Sequence, residues 1–562
     1  MTTKMTPAER TRLYRQRGWW RGVDVDSFLH KAVAENPERE ALIDPPNRSD
    51  LIGTDPVRLT FAELDTRVDS FVATLAALGL SKGDVIVTQL PNIVEGVIAF
   101  LACARFGTVL SPVPMAYRRY ELGKIIAQVD PALILTVRHF HGFDHRDEIA
   151  AMLESDERSI PVLTIGSAGE DGEACFEHHD VAHASRASAE PRPIEASEIV
   201  TICWTSGTEA DPKGVPRHHD HWVINGQAMI ECAELRSGDA ILNPFPLINI
   251  AAIGGMVMPW LMMQGKLVQH HPFDLPVFLR QLEEEAINYT VAPPAILNML
   301  LKQDAMLENV DLSALRCLGS GSAPLTTWMV EGWQERGIPV MNVFGSNEGC
   351  SLFSTHREMP DPHLRASYFP RFGAAGITWK SAFPKTIRTR LVDPVTKQEV
   401  TEPGQIGELR IDGAMTFDGY WNAPELNRTA FDDQGYFRTG DLFEIASGDP
   451  RFYEFVGRSK EVIIRGGVNI SPAELDGLVE SHPKVREAAC AAYPDNRLGE
   501  KICAVVALVE GETLELNELT AYLRKVGISV YKLPEKLREV DTLPRNPLGK
   551  VMRRELSGVA AS

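Results

Sequence analysis

A chain that alternates short apolar runs with helix-length stretches has few ways to bury both, and this chain does so throughout its first half. DVIVTQL (84–90) reads as a buried strand, and IVEGVIAFLACARFG (93–107) as the helix that follows it. ALILTV (132–137), PVLTIG (161–166), EIVTICW (198–204) and INYTVAPP (287–294) are further strands. Strands separated by helices predict parallel sheets with helices on their faces. From about residue 385 the texture changes. TIRTRLVD, GQIGELRID and GYFRTGDLFEI are short, alternating and bounded by turn residues, which predicts a small β-rich subdomain. After FVGRSK (455–460), KVREAACAAYP and KICAVVALVE supply strands and LNELTAYLRKVG supplies a helix. The expected fold is therefore α/β. A large N-terminal domain (1–459) holds two α/β subdomains and the β-rich one, and a small α+β C-terminal domain (460–562) follows a boundary at Lys460.

The 562 residues suffice for three or four such units, at about 150 residues each. Net charge is -19, from 57 basic and 76 acidic residues with no long block of either sign. That argues against nucleic acid or an anionic membrane as the main partner. Eight cysteines are scattered singly without a CxxC pair, which argues against a disulfide framework and for a reducing cytoplasm. The first twenty residues are polar and charged, without the apolar centre of a signal peptide. The longest apolar run, Ile250 to Met263, is too short for a membrane span and contains Pro259, so it reads as a buried helix or pocket wall.

TSGTEADPKG (205–214) follows a buried strand directly. Its small residues present backbone N–H groups to an anion, Thr205, Ser206 and Thr208 add hydroxyls, Gly207 adds flexibility, and Lys213 adds charge. It is not a Walker A loop, because Pro212 precedes the lysine and Gly214 follows it. Four more segments come downstream in order: GSGSAPL (319–325), NVFGSNEG (342–349), GYFRTGD (435–441) with VGRSKEVIIRGGVNISPAE (456–474), and LPRNPLGK (543–550). Together the five resemble the adenylate-forming superfamily of acyl-CoA synthetases, nonribosomal adenylation domains and luciferases, over about residues 25 to 555.

The resemblance implies an enzyme that joins a carboxylic acid to ATP, releasing pyrophosphate, and then passes the acyl group to a thiol. It implies that the 205–214 loop holds the outer phosphates and that Glu348 binds Mg2+. Phe344 would stack on adenine, with Gly321, Ser322, Ala323 and Pro324 on the other face, and Asn342 and Gly345 flanking it. Asp441 would accept the ribose hydroxyls, Arg458 would donate to the ribose, and Tyr453 would border the same site. Lys550 matches the lysine that neutralises carboxylate and α-phosphate. Lys460 matches a hinge about which the mobile C-terminal domain swings, presenting Gly466 and Gly467 to a pantetheine arm. ATP, Mg2+ and CoA are the implied cofactors. The implied partners are a small carboxylic acid, CoA and, as an open alternative to the monomer, a second copy of the chain.

The chain departs from the family pattern in three places. Glu209-Ala210 stands where Thr-Gly is usual, and Glu209 is expected to turn to solvent rather than join the metal shell. Asn249 replaces a histidine, and Asn347 a threonine whose donor to the α-phosphate the amide can still supply. The acid pocket is expected to be walled by Asn249, Ile250, Ala251, Gly254, Gly319, Gly321 and Asn347, with the methionines and Trp260 of 256–263 nearby. Residues 244–263 carry no charged side chain, which predicts an uncharged hydrophobic acid: medium-chain, alicyclic, steroid side-chain or aryl. A free CoA thioester is the expected product, and a separate carrier protein is the alternative acceptor. HHDH (218–221) resembles a metal patch, but capping and surface roles are expected there, and HHD (178–180) is assigned nothing.

Overall fold

The computed structural model describes residues 5–166, 175–176, 193–205, 212–321, 325–458, 461, 463–465, 468–495, 498–526, 528, 532–545 and 551–561. Its strands form four main sheets. The first runs, in spatial order, Lys213–His218, Ile199–Thr205, Val109–Pro112, Val85–Gln89, Leu133–Val137, Val162–Ile165 and Cys175–Phe176. It is parallel except at the edge, where Lys213–His218 folds back antiparallel on Ile199–Thr205. The sequence does not announce this edge strand, because Pro216 lacks a ladder donor. An edge is where a strand tolerates that loss.

The second sheet runs Ser351–Ser354, Val340–Gly345, Cys317–Gly321, Tyr289–Val291, Ala240–Asn243, Lys266–Gln269, Glu40–Ile43 and Arg58–Thr60. It is parallel inside and antiparallel at both edges. The third is the antiparallel β-rich unit, centred on Ile406–Gly413, Phe437–Ile445 and Phe452–Arg458. The fourth pairs Val485–Asp495 with Gly499–Leu508, adds Ile463–Arg465 and Val468–Ile470 at one side, and carries Lys536–Glu539 parallel to Gly499–Leu508. Two α/β units, a β-rich unit and a terminal α+β unit are thus the fold expected from the sequence.

Helix Val94–Phe106 shows why the first two units lock together. It is apolar nearly all round, and residues 94–104 are buried throughout, as a helix without a polar face must be. It stops at Gly107, whose φ of +85° is the left-handed conformation that ends helices. At its start Asp44, just past strand Glu40–Ile43 of the second sheet, accepts the Val94 N–H at 2.8 Å. Arg48 then bridges Asp44 to Glu95 within the same buried cluster. Burial, with Glu95 beside it and Arg48 opposing, pushes the Asp44 carboxyl up to about 7. The apolar run Ile250–Met263 is indeed buried and helical, but with a π-helical turn at Ile253–Val257. Among the described residues no helix is long and apolar enough to cross a membrane.

Candidate functional site

The edge hairpin of the first sheet sets Thr205 directly opposite Lys213. Ser206, Gly207, Thr208, Glu209 and Ala210, between them, lie outside the described residues. The hairpin is met by residues 413–421, the connection out of strand Ile406–Gly413. Trp421 N–H donates to the Gly214 carbonyl at 2.9 Å, and Lys213 Nζ lies 5.8 Å from the centre of the Tyr420 ring. The Tyr420 hydroxyl in turn donates to Glu348 Oε1 at 2.9 Å, and Phe417 N–H donates to the Glu348 carbonyl at 2.9 Å. Glu348 is 7 % exposed. A lysine and a carboxylate 135 positions apart are thereby fixed around one tyrosine. Sequence reasoning missed Tyr420; its signal was the DGYW turn at 418–421.

On the far side of Glu348 the second sheet ends in Cys317–Gly321 and Val340–Gly345, with Gly321 opposite Val343. A Cβ at Gly321 would overlap the Val343 carbonyl oxygen, so only glycine lets the two backbones approach. Ser322, Ala323 and Pro324 lie outside the described residues. Asn342 spends both amide hydrogens on the carbonyls of Arg365 and Ala366. Phe344 projects into an aromatic group, 5.2 Å from Phe443, 6.1 Å from Phe369 and 6.3 Å from Phe455, centre to centre. Asp441, 5 % exposed, pairs with Arg458 across the third sheet, two residues from Phe443.

Tyr453 stands behind this aromatic group, 6.1 Å from Phe443 and opposite Phe369, with no ring contact to Phe344 among the described residues. It is 1 % exposed, its hydroxyl faces Thr389 Oγ1 at 3.3 Å, and it stands five residues along the strand from Arg458. Phe455 is the residue of that strand beside Phe344. The sequence offers both aromatics at alternate positions, and only the strand register selects between them.

Several residues expected at the acid pocket lie around the start of the helix that opens at Ile250. Asn249 is the N-cap of the helix that starts at Ile250, accepting the Ala252 N–H at 3.1 Å, so its side chain is committed to the helix end. Gly254 is buried: a Cβ there would stand 3.2 Å from Trp222 and 3.3 Å from Asn225 and Ile250. Gly255 faces open space, with nothing nearer than the Ile250 carbonyl oxygen at 3.9 Å. Met256, Val257, Met258 and Trp260 are fully buried core side chains, not pocket lining. Ile250, Ala251, Gly255 and Met262 are the partly exposed positions of the run after the N-cap.

Gly319 lies beneath Tyr289 and Val291 of the neighbouring strand, and a Cβ there would stand 2.7 Å from Val291 Cγ2. Asn347 joins two walls: its Nδ2 donates to the Trp204 carbonyl at 3.0 Å and its Oδ1 accepts the Ile250 N–H at 2.9 Å. Asn347→Ala is expected to lower stability by about 2 kcal/mol, from two bonds at about 1 kcal/mol each, read by thermal unfolding, and to raise the KM for the acid more than that for ATP.

Residues 29–421 match the family model described as AMP-binding enzyme, and residues 474–550 match that of the AMP-binding enzyme C-terminal domain. The chain belongs to the AMP-binding enzyme family. It is 29 % identical to the salicyl-AMP ligase / salicyl-S-ArCP synthetase of Mycobacterium tuberculosis, covering 98 % of this chain and 93 % of that protein. It is 27 % identical to the medium-chain fatty-acid–CoA ligase of Escherichia coli, over 97 % and 92 %. The crystal structure of ATP-bound MatB from Rhodopseudomonas palustris superposes with a TM-score of 0.78 at 25 % identity, covering 96 % of this chain and 99 % of that one. In this AMP-binding enzyme Lys460, Gly466, Gly467 and Lys550 lie outside the described residues, as does HHD at 178–180.

The HHDH cluster is a cap, as expected, but not a surface one. His218 is the N-cap of helix His219–Cys232, its Nδ1 accepting the His221 N–H while the His221 Nδ1 accepts the His218 N–H. All four residues are buried. His218, His221 and Asp418 place potential ligand atoms within 4.8 Å of one another. Yet the two imidazoles are stacked, 3.4 Å apart and 18° from parallel, so their in-plane lone pairs run side by side and do not converge on one ion. Arg10 already pairs with Asp418 at 2.8 Å. Burial first, then neighbouring positive charge, holds both imidazoles well below their ordinary range, so they are neutral packing groups.

Proposed function

We propose that this AMP-binding enzyme is an acyl-CoA synthetase: it activates a hydrophobic carboxylic acid with ATP and transfers the acyl group to CoA. The observation that carries the reading is the meeting of Lys213, Glu348 and Asn347 beside the hairpin of Thr205, with Asp441 across the aromatic group of Phe344. In the first half-reaction a carboxylate oxygen attacks the α-phosphorus, forming a P–O bond as the bond to pyrophosphate breaks. Two anions must meet, so oriented donors and cations are what such a site has to supply. The hairpin and Lys213 supply them for the outer phosphates, and Asp441 suits a ribose diol. In the second half-reaction the thiol sulfur attacks the acyl carbon and AMP leaves.

Mg2+ fits the residues present. Glu348 is a nearly buried carboxylate whose Oε1 is oriented by the Tyr420 hydroxyl, and Mg2+ takes one or two carboxylates with phosphate oxygens. Bound there, it would offset polyphosphate charge. Division of the chain at Lys460 into a core (1–459) and a moving C-terminal domain (460–562) belongs to the same reading, with Lys550 serving adenylation and residues 464–470 the thiol step.

Ile250, Ala251, Gly255 and Val291 favour an uncharged acid, because no charged side chain stands among them. A second reading, loading of a separate carrier protein, is favoured by the likeness to the salicyl-AMP ligase / salicyl-S-ArCP synthetase. Acid-dependent ATP–pyrophosphate exchange over fatty, alicyclic, steroid and aryl acids tests adenylation and names the acid. Thioester formation with CoA against a carrier protein separates the acceptors. Absence of exchange with every class, from folded protein, would overturn the proposal. Glu209→Ala is expected to leave the KM for ATP within about threefold, since the backbone of such loops does the gripping; a large rise would assign Glu209 to the metal.

A further inference from the structure

Residues 6–25 precede the stretch matched by the family model, which begins at 29. Helix Pro7–Gln16 starts on a capping box, with Thr6 and Glu9 exchanging bonds. Its Arg10 is 5 % exposed. Arg10 Nη1 donates to the Phe417 carbonyl at 3.2 Å and to Asp418 Oδ1 at 2.8 Å. Its Nη2 donates to the carbonyls of Gly413 at 3.1 Å and Thr416 at 2.7 Å. Trp20 Nε1 adds a bond to the Ala414 carbonyl at 3.0 Å. Every one of these acceptors lies in residues 413–418.

The same segment is gripped from its other side by the site. Phe417 N–H holds the Glu348 carbonyl, Tyr420 holds the Glu348 carboxylate, and Arg217 Nη1 donates to the Met415 carbonyl at 2.7 Å. Residues 414–421 form no strand, so their buried carbonyls depend on side-chain donors. Two of Arg10's four bonds go to such carbonyls, a third to that of Gly413 at the strand end and the fourth to Asp418; a planar fork of five N–H groups can serve all four acceptors, where an ammonium has three donors.

We propose that Arg10 is a positioning residue for Glu348, acting through residues 413–420. By this route the N-terminal segment sets the orientation of the carboxylate that holds Mg2+. The inference rests on the reading of Glu348 as the metal ligand. Groups that orient a ligating carboxylate are worth about 10- to 100-fold in metal affinity.

The test is calorimetric titration of the full chain with a non-hydrolysable ATP analogue, with and without Mg2+. The ratio of the two affinities reads the metal's contribution apart from turnover. Wild type is expected to bind the Mg2+ complex more tightly, and Glu348→Gln to lose that gain. Arg10→Ala is expected to lose about tenfold of it while binding the metal-free analogue as wild type does. Arg10→Lys, which keeps a charge opposite Asp418 and protects the fold, is expected to lose a similar share. If Glu348→Gln loses the gain and both Arg10 variants keep it, with only their melting temperatures lowered, the inference is overturned and the metal reading stands. If Glu348→Gln keeps it too, or wild type shows none, the metal reading fails and the inference with it.

Discussion

Gly349→Ala is expected to abolish pyrophosphate exchange and to leave a chain that unfolds at markedly lower temperature. Gly349 has φ +84°, a conformation that costs an ordinary L-residue about 1–2 kcal/mol. Space is the larger obstacle. A Cβ at 349 would overlap the Met415 carbonyl oxygen and stand 2.6 Å from its carbon. It would also overlap the guanidinium of Arg217. Neither neighbour can give way. The Met415 carbonyl accepts Arg217 Nη1, and Arg217 is wholly buried, with Nη2 on Asn225 and burial alone drawing its pKa down to about 10. A buried cation that loses its acceptors is among the few changes that cost more than about 4 kcal/mol. Glu348 precedes the substituted position and moves with it, so activity is lost along with stability. Thermal unfolding and exchange measured on one preparation check this. A stable, active Gly349→Ala protein would mean that residues 346–349 sit differently against residues 413–417.

Lys550→Ala is expected to act on one half-reaction alone. Removing one preorganised charge from a developing anionic centre costs about 10²- to 10³-fold in rate, so exchange falls by at least that much. Thioester formation from a synthetic acyl-adenylate should stay within a few-fold of wild type, because in the proposed cycle the C-terminal domain has by then withdrawn the lysine. Both steps are measured on the same variant. Equal losses in the two would remove the alternation and leave Lys550 a residue of general structural effect.

The fold was legible in the sequence wherever its signal was periodic. Runs such as DVIVTQL and the largely apolar 93–107 stretch admit one local structure each, and their alternation admits few sheets. The family was legible for a related reason, since its motifs are short contiguous segments written in adjacent letters such as GSNEG and TGD. What the sequence could not decide was which neighbour a side chain meets from elsewhere in the chain. Two alternating aromatics, Tyr453 and Phe455, were equivalent until strand register placed the second beside Phe344. Two consecutive glycines, 254 and 255, were equivalent until packing against Trp222 and Asn225 buried the first and left the second partly exposed. The burial of His218 and His221, and the joining of Arg10, Tyr420 and Glu348, rest on approaches between residues tens to hundreds of positions apart. Local pattern fixes which face of an element is apolar; only close packing among elements fixes which atoms share a hydrogen bond, and those bonds orient this site.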